Sequence, residues 1–205
     1  HLAAESHVDR SINNPSVFIE SNIKGTFNLL EVILNHFKNL NNKRSSFFKF
    51  IHISTDEVFG SLNDHGKFCE NSPYDPRSPY SASKASSDHL VSAWFHTFNL
   101  PTITTHCSNN YGPYQFPEKL IPLTILKAIN NEEIPLYGDG KNIRDWLHVE
   151  DHVEGIIKVL NYGEIGSKYC IGGVGEKSNL EVVEMICSKL DKLMNSEKPH
   201  KRLIT

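Results

Sequence analysis

The feature that most constrains the fold of this chain is an alternation of helix-like and strand-like segments. Between residues 17 and 37, apolar side chains recur every three or four residues, which predicts an amphipathic helix. Residues 47–54 then form a run of aromatic and β-branched residues typical of a strand buried on both faces. A second helix and strand, at 79–98 and 102–107, repeat this order. The alternation predicts an α/β protein with a doubly wound parallel sheet.

After residue 109 the pattern changes, because glycines and prolines become frequent. We expect a smaller region here, with helices near 120–130, from 149 onward and from 179 to 193, the last of them capped by Asn179. Strands are expected at 134–137 and 168–171. Earlier in the chain, a polar linker is predicted at 39–46, and Ser78 followed by Pro79 marks a helix start.

The composition is that of a globular protein, and it excludes several classes of function. Of the 205 residues, 39% are hydrophobic and 22% are charged, and the net charge of −3 comes from scattered groups, which disfavours binding to nucleic acid or an anionic membrane. The four cysteines form no CxxC pair, so we expect reduced thiols in a cytoplasmic protein. We see no spanning segment of about 18 apolar residues and no signal-peptide pattern.

Tyr80 and Lys84 lie four positions apart and therefore on one face of the predicted helix. An ammonium group close to a phenol favours the phenolate, so that the tyrosine can act as a base near neutral pH. The alternative is an exposed tyrosine and lysine on a helix surface.

A second constellation, Thr55-Asp56-Glu57, follows the predicted strand at 47–54. Open α/β sheets place ligand-handling residues at the carboxyl ends of their strands. Two carboxyl groups in different environments can divide acid and base roles between them. The alternative is a strand end capped by polar residues, but the presence of both constellations in one chain favours an active site.

Other motifs fail on their spacing. Residues 138–141 and 172–175 are glycine-rich but match no phosphate-binding loop, and His148 and His152 lack the surroundings of a zinc motif. We therefore expect no metal.

Six blocks of sequence carry a resemblance to a known family: 2–9, 54–60 (STDEVFG), 79–84 (PYSASK), 108–113 (SNNYGP), 116–122 and 142–147. On these blocks the chain resembles the extended short-chain dehydrogenase/reductases, and within them the enzymes that dehydrate dTDP-glucose. The resemblance implies a Rossmann-like sheet, NAD as cofactor, a lyase activity in deoxysugar biosynthesis, a nucleotide-sugar substrate and a homodimer.

The resemblance also implies a role for each residue of the two constellations. Tyr80 takes the proton of the sugar C4 hydroxyl as hydride passes to NAD, while Lys84 holds the nicotinamide ribose. Thr55 hydrogen-bonds the same hydroxyl. Glu57 removes the C5 hydrogen and Asp56 protonates the departing C6 hydroxyl.

Further contacts are implied at matching positions. The cofactor-binding residues are Leu2, Ala3, Ala4, Ser21, Tyr80, Lys84 and Asn110. The substrate-binding residues are Ser6, Thr55, Asn109, Lys119, Leu120, Tyr137, Arg144 and Asn179. Arg144 suits a diphosphate because its guanidinium donates two parallel hydrogen bonds, although an ion pair with Asp145 or Asp139 is the alternative.

The same resemblance divides the chain into domains. Residues 1–110 correspond to the second half of an NAD-binding domain and 111–205 mostly to a substrate-binding region, with 143–172 returning in part to the first. The glycine-rich first half of the family's cofactor domain has no counterpart in these residues, so we expect a fragment that is inactive and does not bind NAD alone.

Three alternatives stay open at this point. The first is a related dehydratase, decarboxylase or epimerase acting on a UDP-sugar, and the second is a non-catalytic fragment. The third concerns the dimer: the small residues Ala85, Ser86 and Ser87 permit close approach of a second helix, but ordinary packing within one chain explains them equally well.

Overall fold

The structure, a computed structural model, describes residues 1–62, 66–136 and 138–205. These residues form two compact units. The first contains residues 1–107 and 154–171, and the second contains residues 108–153 and 172–205. Among the described helices, none has the length and apolar character needed to span a membrane.

A three-stranded parallel sheet organises the first unit. Its order is β1 (Phe50–Thr55), β2 (Thr102–Cys107) and β5 (Lys168–Ile171), and Phe50 lies opposite Thr102 in the register. The predicted α/β class with a parallel sheet is confirmed. The helical elements of this unit are α1 (Val8–Asn13), α2 (Pro15–Phe18), a π-helical turn (Ile19–Lys24), α3 (Gly25–Lys38), α4 (Asn42–Ser45) and α5 (Pro79–Phe98).

One apolar cluster joins the helices of this unit to its sheet. It contains Leu30 and Leu34 of α3, Phe50 of β1, Val91 of α5, and Leu100. Each fully buried leucine stabilises the fold by about 1.5–3 kcal/mol relative to exposure. The helix that carries Tyr80 and the strand that ends at Thr55 are therefore packed against a common core.

The first predicted strand begins three residues later than expected. Phe47 is 79% exposed and precedes β1, which starts at Phe50. The polar linker expected at 39–46 is also wrong in part, because α4 forms there. Its start is stabilised by the Asn41 side chain, which accepts a hydrogen bond of 3.0 Å from the main-chain N–H of Arg44.

The helix predicted at 17–37 is confirmed, but it begins at Pro15 and contains the π-helical turn. Asn22 lies in this turn and is buried. The short helix α1 is not predicted, because six residues give too little room for an apolar period to show.

Helix α5 and strand β2 have the predicted bounds. Ser78 accepts a hydrogen bond of 3.0 Å from the main-chain N–H of Ser81, whose side chain in turn accepts one of 2.9 Å from the N–H of Ser78. This reciprocal cap and Pro79 fix the first turn of α5. The helix ends at Asn99, which adopts the left-handed conformation with φ of 55°.

The second unit contains a mixed sheet that the sequence does not predict. Strand β3 (Asn109–Tyr111) is parallel to β4 (Ile143–His148), which is antiparallel to β6 (Glu176–Ser178). Helices α6 (Leu120–Ile129) and α8 (Asn179–Met194) belong to this unit, and α7 (Val149–Tyr162) begins in it. The residues of its core are Ala128, Ile134, Val183, Cys187 and Leu203.

Two predictions for this unit are wrong. The strand expected at 134–137 is only an isolated bridge between Ile134 and Ile204, and Tyr137 lies outside the described residues. The cap of α8 is Ser178 and not Asn179, which is the first helical residue. Ser178 accepts from the N–H of Glu181 at 3.2 Å, and the Glu181 carboxylate accepts from the N–H of Ser178 at 2.7 Å.

Candidate active site

The end of β1 turns sharply into a 3-10 turn over Asp56–Phe59. The Thr55 hydroxyl accepts from the main-chain N–H of Glu57 and donates to Asp56 Oδ1, each at 3.3 Å. Val58 and Phe59 are buried, whereas the two carboxyl side chains are only partly buried. Both acids are therefore held beside Thr55 at the carboxyl end of a parallel strand, where the sequence places them.

Gly60 is needed for this turn to close. Its φ of 87° is unfavourable for other residues, and a Cβ there would lie 2.6 Å from the main-chain oxygen of Asp75.

The first two turns of α5 carry Tyr80 and Lys84, and both side chains are buried. The ring of Phe18 packs edge-on against the ring of Tyr80, with centroids 6.4 Å apart. The Lys84 ammonium donates a hydrogen bond of 2.7 Å to the main-chain oxygen of Ile53. The alternative of an exposed pair on a helix surface is therefore wrong.

The pKa of Lys84 is lowered, because burial disfavours its charged form, although the negative charge of Asp88 opposes the shift. The buried ammonium has three N–H donors, and the described residues use one of them, at Ile53.

The electrostatic surroundings of Tyr80 connect the helix to the strand end. Burial raises the pKa of Tyr80, and the charge of Glu57 and, more weakly, that of Asp56 raise it further. A hydrogen bond with Thr55 acts in the opposite direction. The two constellations predicted from the sequence thus lie within interaction distance of each other in the first unit.

The expectation that Lys84 lowers the Tyr80 pKa is not met in this structure. The ammonium is directed to the Ile53 carbonyl. Burial and two nearby carboxyl groups have the larger effect on the pKa of the phenol, and they raise it.

Leu2, Ala3 and Ala4 follow a short parallel pairing with β1. The main-chain nitrogen of His1 donates to the oxygen of Ile51 at 2.8 Å, and the main-chain oxygen of His1 accepts from the N–H of Ile53 at 3.1 Å. The three predicted cofactor residues come next in the chain and are exposed, as are Ser6 and Ser21.

Asn22, which the sequence does not single out, connects three parts of the first unit. Its side chain binds the main-chain N–H and oxygen of Glu5 at 2.8 and 3.0 Å, and it donates to Ser83 Oγ at 2.9 Å. Its main-chain oxygen accepts from Ser87 Oγ at 2.6 Å. Asn22 therefore fixes the segment after Ala4 against the helix of Tyr80. The only signal in the sequence is a polar residue within an apolar helical period.

The small residues of α5 pack inside this chain. Ala85 lies in a cluster with Val58 and Phe59, and Ser87 binds Asn22 as described above. Of the two readings left open for the small residues, the contacts of Ala85 and Ser87 favour ordinary internal packing, whereas Ser86 is only partly buried.

In the second unit, the mixed sheet brings several predicted substrate residues onto neighbouring strands. Asn109 lies opposite Trp146 in the register of β3 and β4, and Arg144 of β4 lies opposite Lys177 of β6. Asn179 follows β6 directly, and its N–H donates to the oxygen of Asn142 at 3.1 Å. Residues 119 and 120 lie apart from this sheet, at the start of α6.

Arg144 is exposed and does not form the ion pair considered above among the described residues. Its guanidinium donates to the main-chain oxygen of Ile143 at 3.2 Å. The carboxylate of Asp145 instead accepts from the N–H groups of Gly173 and Gly175, both at 2.7 Å, and Asp139 pairs with Lys141.

Asn110 is held by its neighbours in the second unit. Its side chain donates to the oxygen of Ser108 at 3.0 Å, and its Oδ1 atom lies 2.8 Å from Nδ1 of His152. Because the sequence analysis considers His152 only as a possible zinc ligand, this contact is a feature that sequence reasoning missed. Within the described part of the chain, no group of three or more potential ligands could hold a metal ion.

Comparison with known proteins decides the family. All 205 residues match the family model described as GDP-mannose 4,6 dehydratase. The chain belongs to this family. Among curated proteins it is 58% identical over 191 residues to a dTDP-glucose 4,6-dehydratase of Xanthomonas campestris, covering 93% of this chain and 54% of the relative. It is 53% identical over 214 residues to dTDP-glucose 4,6-dehydratase 1 of Escherichia coli, covering 100% of this chain and 59% of the relative.

Solved structures give the same result. The family member is similar to DesIV, a dTDP-glucose 4,6-dehydratase from Streptomyces venezuelae with NAD and TYD bound, with a TM-score of 0.88 and 44% identity over 100% of this chain and 58% of that one. Similarity to a UDP-glucuronic acid 4-epimerase from Bacillus cereus is lower in sequence, at 28% identity and a TM-score of 0.83, covering 97% and 60%. The chain thus spans just over half the length of the relatives it matches.

Proposed function

We propose that this chain is part of an NAD-dependent dTDP-glucose 4,6-dehydratase, a hydro-lyase that forms dTDP-4-keto-6-deoxyglucose and water. The observation that carries the proposal is the arrangement of two carboxyl groups, Asp56 and Glu57, whose charges act on the buried phenol of Tyr80. Relatives named for this activity share 53–58% of their aligned residues with the chain, which supports dTDP-glucose over a UDP-sugar as substrate.

The acids suit an elimination because two protons move on adjacent carbons. Tyr80 accepts the proton of the C4 hydroxyl, and Thr55 orients that hydroxyl. The resulting C4 ketone makes the C5 hydrogen acidic, so that Glu57 removes it as a proton while Asp56 protonates the departing C6 hydroxyl. Glu57 then returns its proton to C5. A reaction that only inverts one carbon needs no such pair.

The described residues fit a dinucleotide cofactor in one measurable respect. Lys84 is buried next to Tyr80 and keeps two N–H donors beyond the one bound by Ile53, as needed to hold two ribose hydroxyls. NAD held there would supply the hydride acceptor for C4 and the hydride donor for C6. Leu2, Ala3, Ala4, Ser21 and Asn110 are the other proposed contacts.

We assign the nucleotide and diphosphate mainly to the second unit. Arg144 is exposed on β4 and is not paired with Asp145 or Asp139 within the described residues, which supports a role in binding the diphosphate. The other proposed substrate contacts are Ser6, Asn109, Lys119, Leu120, Tyr137 and Asn179. The proposed domains are 1–110 for the cofactor and 111–205 mostly for the substrate, with 143–172 shared.

The proposed assembly is a homodimer in the cytoplasm. The helices before β1 expose apolar side chains that a partner would cover, namely Ile12, Val17, Ile19, Phe27 and Val32. All four cysteines are free thiols, as expected in a reducing compartment. Light scattering coupled to size-exclusion chromatography tests the dimer.

The activity is tested with a protein that contains these 205 residues within a chain of its relatives' length. It is incubated with NAD and dTDP-, UDP- or GDP-glucose, and the products are identified by mass spectrometry and NMR. We expect a 4-keto-6-deoxy product, with dTDP-glucose as the preferred substrate of the three. No product from the folded protein with any of the three would refute the proposed function, and preference for UDP-glucose would refute the substrate.

A further inference from the structure

A buried polar cluster lies directly behind the proposed catalytic residues. Its centre is Asp88 of α5, which is 3% exposed. The Oδ2 atom of this carboxylate accepts from Ser54 Oγ at 2.8 Å and from the Tyr74 hydroxyl at 3.0 Å, and it lies 3.1 Å from Nε2 of His106. The other oxygen lies 3.1 Å from Nε2 of His52, at an angle too poor for a hydrogen bond. We call these five side chains the Asp88 cluster.

The cluster joins the two halves of the site. Asp88 follows Lys84 by one helical turn and Tyr80 by two, so the three residues lie on successive turns of α5. Ser54 directly precedes Thr55 on β1, and the ammonium of Lys84 binds the carbonyl of Ile53 between His52 and Ser54. Lys84 and Asp88 therefore fasten the same helix to two adjacent residues of β1, Ile53 and Ser54, respectively.

Three buried polar partners and the half-buried Tyr74 around one carboxylate are not needed to pack a helix on a sheet. Apolar residues of similar volume are commonly as stable as a buried charged group, or more stable. What the cluster supplies is a fixed negative charge one turn from the buried ammonium of Lys84. Although burial alone would raise the pKa of Asp88, its interactions with His106 and His52 lower it overall, so the carboxylate is ionised.

We propose that Asp88 is a positioning residue of this active site: its clamped carboxylate is the counter-charge of the Lys84 ammonium and holds α5 at a fixed place along β1. The inference rests on the proposed function, in which Lys84 acts as a cation beside Tyr80. Tyr74 and His106 hold the carboxylate in turn, and they act on Lys84 only through Asp88.

The inference predicts how Lys84 titrates. The titratable side chains around Lys84 and Asp88 are those of His52, Tyr74, Cys107 and His106. Among these partners, Asp88 has the largest influence that favours the charged lysine. Removing its charge while keeping its shape therefore lowers the proton affinity of Lys84, which moves the titration midpoint to lower pH.

The test compares Asp88→Asn with Ser87→Ala in a protein of the relatives' length that contains these residues. Ser87 is equally buried on the same turn of α5, but it binds Asn22 instead of the cluster. Titration of Lys84 is followed by ¹³C NMR of its Cε atom, assigned by its loss in Lys84→Met. We expect a downward shift of the titration midpoint in Asp88→Asn and none in Ser87→Ala.

Activity gives the second readout. In Asp88→Asn, kcat should fall about 10- to 100-fold with KM for the sugar nucleotide nearly unchanged, and the alkaline limb of the pH profile should move to lower pH. Asp88→Ser, which also removes the charge but leaves a smaller polar side chain, covers the case in which Asp88→Asn does not fold, and it should shift both readouts in the same direction. An unshifted Lys84 midpoint in folded Asp88→Asn, or in Asp88→Ser if the former is unfolded, overturns the inference. Because NMR needs no turnover, an inactive wild-type protein would refute the proposed function alone.

Discussion

The ammonium of Lys84 donates a hydrogen bond of 2.7 Å to the main-chain carbonyl of Ile53, two residues before Thr55 on β1. A helix residue is thereby held to the strand whose end carries both acids. This contact uses one lysine donor and leaves the others to face the proposed cofactor. The position of the cation is therefore set by the backbone of the sheet.

Replacing Lys84 by methionine should abolish this arrangement while keeping the volume of the side chain. We expect turnover to fall by about 10²-fold or more. The free energy of unfolding should fall, since methionine leaves the carbonyl of Ile53 without its donor and the buried Asp88 carboxylate without its counter-charge. Activity assays and urea unfolding measure the two effects. Lys24→Met, which changes an exposed lysine, is the control, and equal losses in both variants would contradict the prediction.

Tyr80→Phe removes only the proposed proton acceptor. The ring keeps its contact with Phe18, so binding of the nucleotide-sugar should persist while turnover falls by about 10²- to 10⁴-fold. Calorimetric titration and product formation separate the two properties. The control is Tyr169→Phe, whose hydroxyl accepts from the N–H of Glu164 away from the site. Turnover retained in Tyr80→Phe would assign the base elsewhere.

Asp56→Asn and Glu57→Gln should stop the reaction at the elimination. Oxidation at C4 can still occur, so reduced cofactor should accumulate in a rapid absorbance change without release of water. Exchange of the C5 hydrogen with deuterated solvent should be lost in Glu57→Gln and kept in Asp56→Asn, because only Glu57 is assigned to C5. The control is Glu70→Gln, which changes a carboxylate that accepts a hydrogen bond from the N–H of Cys170. The opposite exchange pattern would reverse the two roles.

Acid should destabilise the first unit through His52. Burial lowers the pKa of this histidine below its ordinary 6.5, so the unfolded chain binds a proton that the folded chain does not. Its contribution to stability is present above pH 6.5 and is lost as the pH falls below it. Urea unfolding between pH 7.5 and 5 should show this loss. In His52→Gln, the free energy of unfolding should depend less steeply on pH. The control His36→Gln, which changes an exposed histidine, should leave this pH dependence unchanged.

Leu30→Ala tests the apolar cluster that joins α3, α5 and β1. Leu30 is fully buried, so the truncation should lower the free energy of unfolding by about 2–5 kcal/mol. Val32→Ala on the same helix changes a side chain that is 67% exposed and should have an effect within about 0.5 kcal/mol. Chemical denaturation followed by circular dichroism measures both, and equal effects would place the core elsewhere.

The sequence predicts those features whose causes are local. Ser78 and Pro79 determine the start of α5 through capping, and the β-branched residues of 102–107 determine β2, so both are found at their predicted bounds. The adjacent acids at 56 and 57 are likewise placed by the strand that precedes them.

Features that depend on contacts between residues far apart in the chain are not predicted from the sequence. Strands β3 and β6 have three residues each and exist only because β4 lies between them, which no local pattern indicates. The raised Tyr80 pKa depends on burial and on Glu57, which tertiary packing brings to it. Asn22 and Asp88 act through side-chain contacts with segments 61 and 34 residues away, respectively, and so leave no motif.

The alternation of side chains along β1 has a consequence for how this protein tolerates change. His52 and Ser54 both face Asp88 because they are two residues apart, and Thr55 follows at the strand end. Deleting or inserting a single amino acid within this stretch would swap its inward and outward sides. The buried Asp88 carboxylate would lose its hydrogen-bond donors, and Asp56 and Glu57 would be displaced at the same time. A shift of one residue within β1 would therefore abolish the proposed activity and destabilise the fold together.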